Sequence, residues 1–347
     1  MASLSGRQTR LGIVVASTFG TATEVTKLIA VENFSPNISA TKLQSSPIGL
    51  NKNFQTNMDR GSLAVAPTFS AKVGFRNNIE YIFAQFFGTS STPAEQTGSQ
   101  SDYLTRLTFN DTLNAKWLTA AFSTSSTTTM EFPSLAVDSF TLNYSPEQYL
   151  TADFTSIANN RVIGSSTNTN AILNALTAPS ENEIVVEQSD FFAINAQGGG
   201  ALSGSDKLTS VESVTLTLSK PQQTKALIKG SAGNGQTRAT DLYQGQLTVV
   251  LDTFADNTYL TAADAGTEYK AMLELEGDQI GTGDNQKFGI YLPRLKLIEE
   301  PDYSLTSPGD NPHTLVFDCL VAASNPTGMS STMPYIEYVN TISSAYV

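Results

Sequence analysis

FPSLAVDSFTLNYSPEQYLTADFTS, residues Phe132–Ser156, returns in degraded form as IYLPRLKLIEEPDYSLTSPGDNPHTLVFDCLVA, residues Ile290–Ala322. Each copy opens on a proline flanked by apolar residues, Pro133 and Pro293, and continues as an alternating strand. Each then turns through a Pro-containing loop and ends in a second alternating strand, near Leu150–Phe154 and Leu315–Leu320. Alternation with period two marks a strand that buries one face. Upstream of each copy lies another matching piece, GSLAVAPTF at Gly61–Phe69 and GQLTVVLDTF at Gly245–Phe254. Two features recurring in the same order point to a doubled unit. The expectation is a mainly β chain with two tandem domains, residues 1–165 and 205–347, and a linker region at 166–204.

Composition fits that reading. Of 347 residues, 40% are hydrophobic and only 15% charged, with many Ser, Thr and Gly, which suits strands and turns. No apolar run reaches the length of a membrane span. The start, MASLSGRQTRLGIVVASTFG, has Arg7 and Arg10 but too short an apolar stretch for a signal peptide, so synthesis and use in the cytosol are expected. The net charge of −12 is unevenly divided. Residues 1–165 hold 11 Lys+Arg and 11 Asp+Glu, whereas the remainder hold 9 and 21. Gripping nucleic acid through its phosphates needs basic patches, and this balance opposes it.

Along the chain, Asn77–Phe87 carries the best helical stripe: Ile79, Ile82, Phe83 and Phe86 fall at i, i+3, i+4 and i+7. Asn77 or Asn78 is placed to cap its start and Gly88 to end it. Two polar excursions read as projecting hairpins. The first spans Asn51–Arg60, with Lys52, Phe54 and Met58; the second spans Lys220–Tyr243, with Lys225, Lys229, Asn234 and Arg238. Thr89–Ser101 reads as a loop, Glu183–Val186 and Phe191–Ile194 as a pair of strands, and Gly198–Gly199–Gly200 as a flexible joint. Asn170–Leu176 and Asn257–Asp264 read as short helices. In Tyr269–Glu276 the alternation sets Glu274 and Glu276 on one face and Leu273 and Leu275 on the other. Pro334–Val339 reads as a last strand available to a neighbouring subunit.

Catalytic and metal chemistry find little footing. One cysteine, Cys319, excludes an internal disulfide, and with the single His313 it cannot build a Cys/His zinc site. No G-x-S-x-G elbow accompanies His313. Gly198–Gly200 and Gly230, Gly233 and Gly235 lack the G-x-G-x-x-G spacing of a nucleotide loop. Asp278–Asn285 has the oxygens of a calcium loop without its order, and reads as a turn. No enzyme and no cofactor are expected.

With the doubled units in view, the chain resembles the tail tube (major tail) proteins of long-tailed bacteriophages. The resemblance is carried by GIVVASTFGTATEV, by GSLAVAPTFSAKVGFRNNIEYIFAQFFG, by FPSLAVDSFTLNYSPEQYLTADF, and in the second half by GQLTVVLDTF and AGTEYKAMLELEG. It covers most of the chain but is diffuse. It implies a β-sandwich or half-barrel with one flanking helix and a long hairpin arm in each unit, assembled into stacked rings through which DNA leaves the capsid. The doubling departs from the family pattern and implies a ring of three chains, pseudo-hexameric with true threefold symmetry. The two polar hairpins would be connectors between copies, and Glu274 and Glu276 would face the lumen. Implied partners are further copies of the chain, tape measure, tail terminator and distal tail proteins, and DNA in transit without adhesion. Such a protein belongs to the virion tail, assembles in the host cytoplasm and needs no membrane. The competing expectation is a carbohydrate- or receptor-binding β-sandwich, with Trp117, Tyr144 and Tyr149 as stacking platforms.

Overall fold

Period-two alternation dominates the chain, and most of its elements are strands. The computed structural model describes residues 9–45, 57–96, 102–110, 116–179, 183–187, 191–227, 235, 238–239, 241–252, 258–280, 284–297, 299 and 312–347. The first strands are β1 (Leu11–Ala16), β2 (Lys27–Ile29) and β3 (Asn33–Ser35), followed by the hairpin of β4 (Ile38–Ser45) and β5 (Asn57–Val65). β6 (Thr68–Lys72) leads into helix α1 (Glu80–Phe87), then β7 (Gly88–Ser90), β8 (Ala94–Glu95) and β9 (Tyr103–Phe109). β10 (Trp117–Ser123), β11 (Thr129–Tyr144), β12 (Thr151–Ile157) and β13 (Val162–Ile163) precede helix α2 (Asn170–Ala175). Next come β14 (Phe191–Ala196), β15 (Val211–Ser219), the short pair β16 (Gln222–Gln223) and β17 (Arg238–Ala239), and β18 (Gln244–Leu251). Helix α3 (Thr258–Ala265), β19 (Glu268–Ile280), β20 (Asp284–Leu297), β21 (His313–Cys319) and β22 (Tyr335–Asn340) complete the order.

Hydrogen bonding sorts twelve of these strands into two antiparallel ladders with the same order. One runs β1–β10–β11–β12–β6–β3. The other runs β14–β19–β20–β21–β18–β15. In each, a hairpin separates the second strand from the third (β4·β5 and β16·β17), and a helix follows the third (α1 and α3). The two repeat prolines sit at matching irregularities. Opposite Thr119, β11 places two residues, Pro133 and Ser134; opposite Lys270, β20 places Pro293 and Arg294. A bulge withdraws a residue from the ladder, so proline is tolerated there although it has no N–H to donate.

The ladders join where β11 runs past β10. Beyond its bulge, Ser139–Tyr144 of β11 pairs on the free side with Val214–Ser219 of β15. One sheet therefore runs β3–β6–β12–β11–β15–β18–β21 through both ladders. A single apolar cluster lies beneath it and draws on both. Helix α1 is its centre: Phe83 meets Phe140 at 5.0 Å and Phe154 at 5.4 Å, and Phe86 meets Phe140 at 4.9 Å between ring centroids. The expected stripe of Ile79, Ile82, Phe83 and Phe86 is fully buried, and so are Ala84 and Phe87, because the helix is covered on nearly every side.

Several local expectations are corrected by long-range partners. The helix starts at Glu80; Asn77 Oδ1 accepts from Ile79 N at 3.3 Å and Asn78 takes a left-handed φ of 71°, so both asparagines shape the turn before it. Gly88 ends it as expected, with φ 87°. The stretch after it is not simply loop, since β7 and β8 both pair with β9. Glu183–Val186 does not pair with β14. Ile184 N donates to Val73 O and Leu150 N to Ile184 O, stitching this segment between β6 and β12, while β14 pairs with β19. The triple glycine is no loose joint: Gln197 N donates to Glu268 O, and the fully buried Lys270 donates from Nζ to Gly199 O and Thr327 O, each at 3.0 Å. β22 lies within its own chain, between β20 and β9. Of Asp278–Asn285, residues 278–280 end β19 and residues 284–285 begin β20, with Ile280 opposite Asp284, and residues 281–283 lie outside the described residues.

Two buried charges make the packing testable. Glu80 is fully buried, neither carboxylate oxygen has a hydrogen-bond partner of good geometry, and desolvation pushes its carboxyl up to about 7; first-turn N–H groups and Lys27 pull it back only in part. Folded Glu80 thus holds its proton from about pH 4.5, its ordinary value, to about 7, and stability falls as pH rises through that window. Glu80→Gln is expected to flatten this slope, recovering on the order of 3 kcal/mol at pH 8 relative to wild type in urea titrations, with little difference near pH 4. Lys270→Met leaves the carbonyls of Gly199 and Thr327 without their charged donor. It is expected to cost about 1–3 kcal/mol and to expose the segment around Thr327 to limited proteolysis.

Candidate functional site

Among the described residues no group of three or more His, Cys, Asp or Glu is placed to hold a metal ion, and no helix is long and apolar enough to cross a membrane. Burial pushes the Cys319 thiol up to about 12, so it is protonated at neutral pH. His313 opens β21 opposite Leu251. The functional candidates are surfaces.

The arms come first. On β5, Met58 stands opposite Gln44 and Arg60 opposite Lys42. Met58 is 60% exposed and Leu43, on β4, 55%. Asn51, Lys52 and Phe54 lie outside the described residues. The second arm begins on the register Gln222↔Ala239 and Gln223↔Arg238, with Lys225 exposed and its carbonyl accepting from Gly235 N at 2.7 Å. Lys229 and Asn234 lie outside the described residues. Leu227 and Leu242 are 54% and 80% exposed on this arm. Both arms thus present apolar side chains to solvent, which the polar look of their sequences conceals; single leucines amid polar residues are the only signal. The second arm's base is fixed by Asp138, whose Oδ1 accepts from Gln222 N at 2.7 Å and whose carbonyl accepts from Lys220 N. Burial raises the Asp138 carboxyl above its ordinary range.

Glu274 and Glu276 do share one face of β19, but their surroundings differ. Glu274 is half-buried, paired with Lys287 and accepting from Tyr291 Oη. Burial first, and neighbouring carboxylates second, raise the Tyr291 hydroxyl far above its ordinary value, so it remains a donor. Across the strands Glu274 is level with Gly289, Glu337 and Arg106, and Arg106 Nε meets Glu337 Oε1 at 2.6 Å. A side chain at Gly289 would strike the Tyr291 ring, which stacks on Tyr335 at 4.7 Å. Each of these carboxylates is therefore matched to a cation, Glu274 to Lys287 and Glu337 to Arg106. Glu276 is exposed, with Asn285 Nδ2 at 3.4 Å.

The edges of the long sheet complete the inventory. Among the described residues β3 pairs only with β6 and its other edge meets no strand, whereas the corresponding edge of β15 is filled by β11. The aromatic platforms of a glycan-binding site do not form: Trp117 is 5% and Tyr144 6% exposed, both within the packing, and exposed Tyr149 carries Lys72 Nζ 3.8 Å from its ring centre.

Comparison with curated proteins returns no match. A family model described as phage tail tube protein matches residues 6–319. That match takes in both ladders and both arms, nearly the whole length, and the chain belongs to the phage tail tube protein family.

Proposed function

We propose that this chain polymerises into stacked rings whose bore carries DNA from the capsid to the host. One observation supports this most: the same six-strand ladder occurs twice, and the two are already joined edge to edge through β11 and β15. Residues 1–165 and 205–347 then act as two tube domains, except that β14, within the expected linker region 166–204, supplies the edge strand of the second ladder. The bare edge of β3 is the counterpart of the β15 edge that β11 fills, so a second copy has a strand edge to extend. Three copies close a pseudo-hexameric ring with true threefold symmetry. Contacts between unlike surfaces then stack rings without limit.

The arms are the connectors in this reading. Exposed Leu43, Met58, Leu227 and Leu242 give them apolar surface to bury against a neighbour, which a mobile solvent loop would not need. Asn51, Lys52, Phe54, Met58 and Arg60 on one arm, and Lys225, Lys229, Asn234 and Arg238 on the other, make those contacts. Tape measure, tail terminator and distal tail proteins meet the ends of the tube, and assembly takes place in the host cytoplasm.

Electron microscopy of the purified chain at raised concentration tests the whole reading: stacked rings of three chains are expected. A solitary particle at every concentration, or true sixfold symmetry with twelve ladders per layer, refutes it. Deleting Gln222–Thr237 is expected to leave folded subunits that do not polymerise, measured by sedimentation. Tubes of normal length from that variant would remove the connector role.

A further inference from the structure

We infer that Thr341–Val347 is a strap that opens apart from the core and shuts a polar chamber around Glu80, seated firmly in acid and released toward neutral pH.

The strap begins where β22 ends. Asn340 is fully buried and holds its root: Nδ2 donates to Phe75 O at 2.8 Å and to Tyr346 Oη at 2.9 Å, and Oδ1 accepts from Ile342 N at 3.0 Å. Arg76 Nη1 donates to Thr341 Oγ1 at 2.8 Å. Ser343, Ser344 and Ala345 are exposed, and Tyr346 then turns inward until only 2% of it is accessible. Its backbone N–H donates to Ser90 Oγ at 3.3 Å. Thr341–Ser344 border a cleft of about 750 Å³, whose lining also includes Lys27, Arg76, Tyr81 and residues 175–179. Residues 341–345 therefore run beside open space between two buried anchors, Asn340 and Tyr346.

The second anchor closes a chamber built by several elements. Tyr338 on β22 and Thr105 on β9 stand opposite one another and are fully buried, as is Glu80 in the first turn of α1. The Tyr346 ring lies 6.1 Å from that of Tyr338 and meets Tyr81 edge-on at 5.2 Å between ring centres. Tyr81 also lines the cleft, so it stands between cleft and chamber. Neither Glu80 oxygen nor Tyr338 Oη makes a hydrogen bond of good geometry among the described residues. Polar groups buried in this way cost stability that water would restore. Lifting Tyr346 lets water reach them while Phe83 and Phe86 stay packed on Phe140. The seal is thus opposed from within, and a segment of few contacts opens before the core does.

The charged and titratable groups facing Glu80 are Lys27 from β2, Tyr338 from β22 and Tyr346 from the strap, with Tyr81 beside it on α1. Burial raises the Tyr338 and Tyr346 hydroxyls above their ordinary value, so both keep their protons. Glu80 is the group that changes charge. Desolvation pushes its carboxyl up to about 7 in the shut chamber, against the pull of first-turn N–H groups and Lys27. Entry of water returns it toward its ordinary value of 4.5. Closure therefore takes up a proton between those two values, and the open fraction rises with pH through that window.

Hydrogen exchange of the full chain, read by mass spectrometry and corrected for the intrinsic effect of pH, tests this. Protection of the strap is expected to fall about fiftyfold between pH 5 and pH 8, while the segment Phe83–Phe87 stays protected at both. Glu80→Gln is expected to keep the strap equally protected across the range. Tyr338→Phe, which removes a hydroxyl that closure leaves unsatisfied, is expected to raise strap protection severalfold at every pH. A wild-type strap without a pH slope, a slope that survives Glu80→Gln, or a strap that exchanges only together with Phe83–Phe87 overturns the inference. So does a strap loosened by Tyr338→Phe, because the hydroxyl would then belong to the seal.

Discussion

Backbone pairing between Ser139–Tyr144 of β11 and Val214–Ser219 of β15 is the constraint from which the rest of the architecture follows. Strand edges carry unpaired N–H and C=O groups that must find partners or water. The bulge at Pro133–Ser134 makes this pairing available, because a bulge bends its strand and releases it from its neighbour. β11 therefore belongs to β10 along its first part and to β15 along its last. Through that handover the two ladders share one sheet and one core, centred on the phenylalanines of α1. The equivalent bulge at Pro293–Arg294 does not free β20 in this way, because β19 stays paired with it on both sides of the bulge.

The segments between ladders are held by polar side chains rather than left as tethers. Arg10 donates to the carbonyls of Leu173, Asn174 and Leu176, the orphan acceptors at the end of α2. Lys270 does the same for Gly199 and Thr327 from a fully buried position. Asn168 donates to Glu131 and to Thr23 O and accepts from Val25 N, tying the start of this region to β11 and β2. Burying a charge is costly unless it is hydrogen-bonded, so such groups fix one arrangement of the covering segments. Glu80 is the exception, a fully buried carboxyl that burial holds protonated up to about pH 7.

Membership of the tail tube family and the division of surfaces agree in physical terms. A protein that must polymerise keeps open strand edges and exposed apolar arms, features that an isolated soluble domain suppresses. In the proposed reading, a chain past which a polyanion moves keeps its cations paired. Here Arg106, Lys72, Lys287 and Arg294 are each matched to a carboxylate within the chain.

What the sequence by itself determined was everything set by neighbours two to four residues apart: the strands from Phe132–Ser156 and its return at Ile290–Ala322, helix α1 from its stripe, its end at Gly88, and the two polar excursions as hairpins. The recurrence at Ile290–Ala322 was legible too, but the upstream match was not equivalent, since Gly61–Val65 lies on β5 of the first arm and Gly245–Leu251 on β18, the counterpart of β6. Pairing was not legible. That β14 joins β19 and not Glu183–Val186, that β22 stays within its own chain, and that Gly199 is clamped by Lys270 were decided only by the tertiary structure. Likewise, alternation put Glu274 and Glu276 on one face, but the register of β20 brought Lys287 and Tyr291 to Glu274. Side-chain direction depends on the local backbone repeat, whereas partners depend on which distant strand arrives, at which register, and on the bulges that let a strand change neighbours.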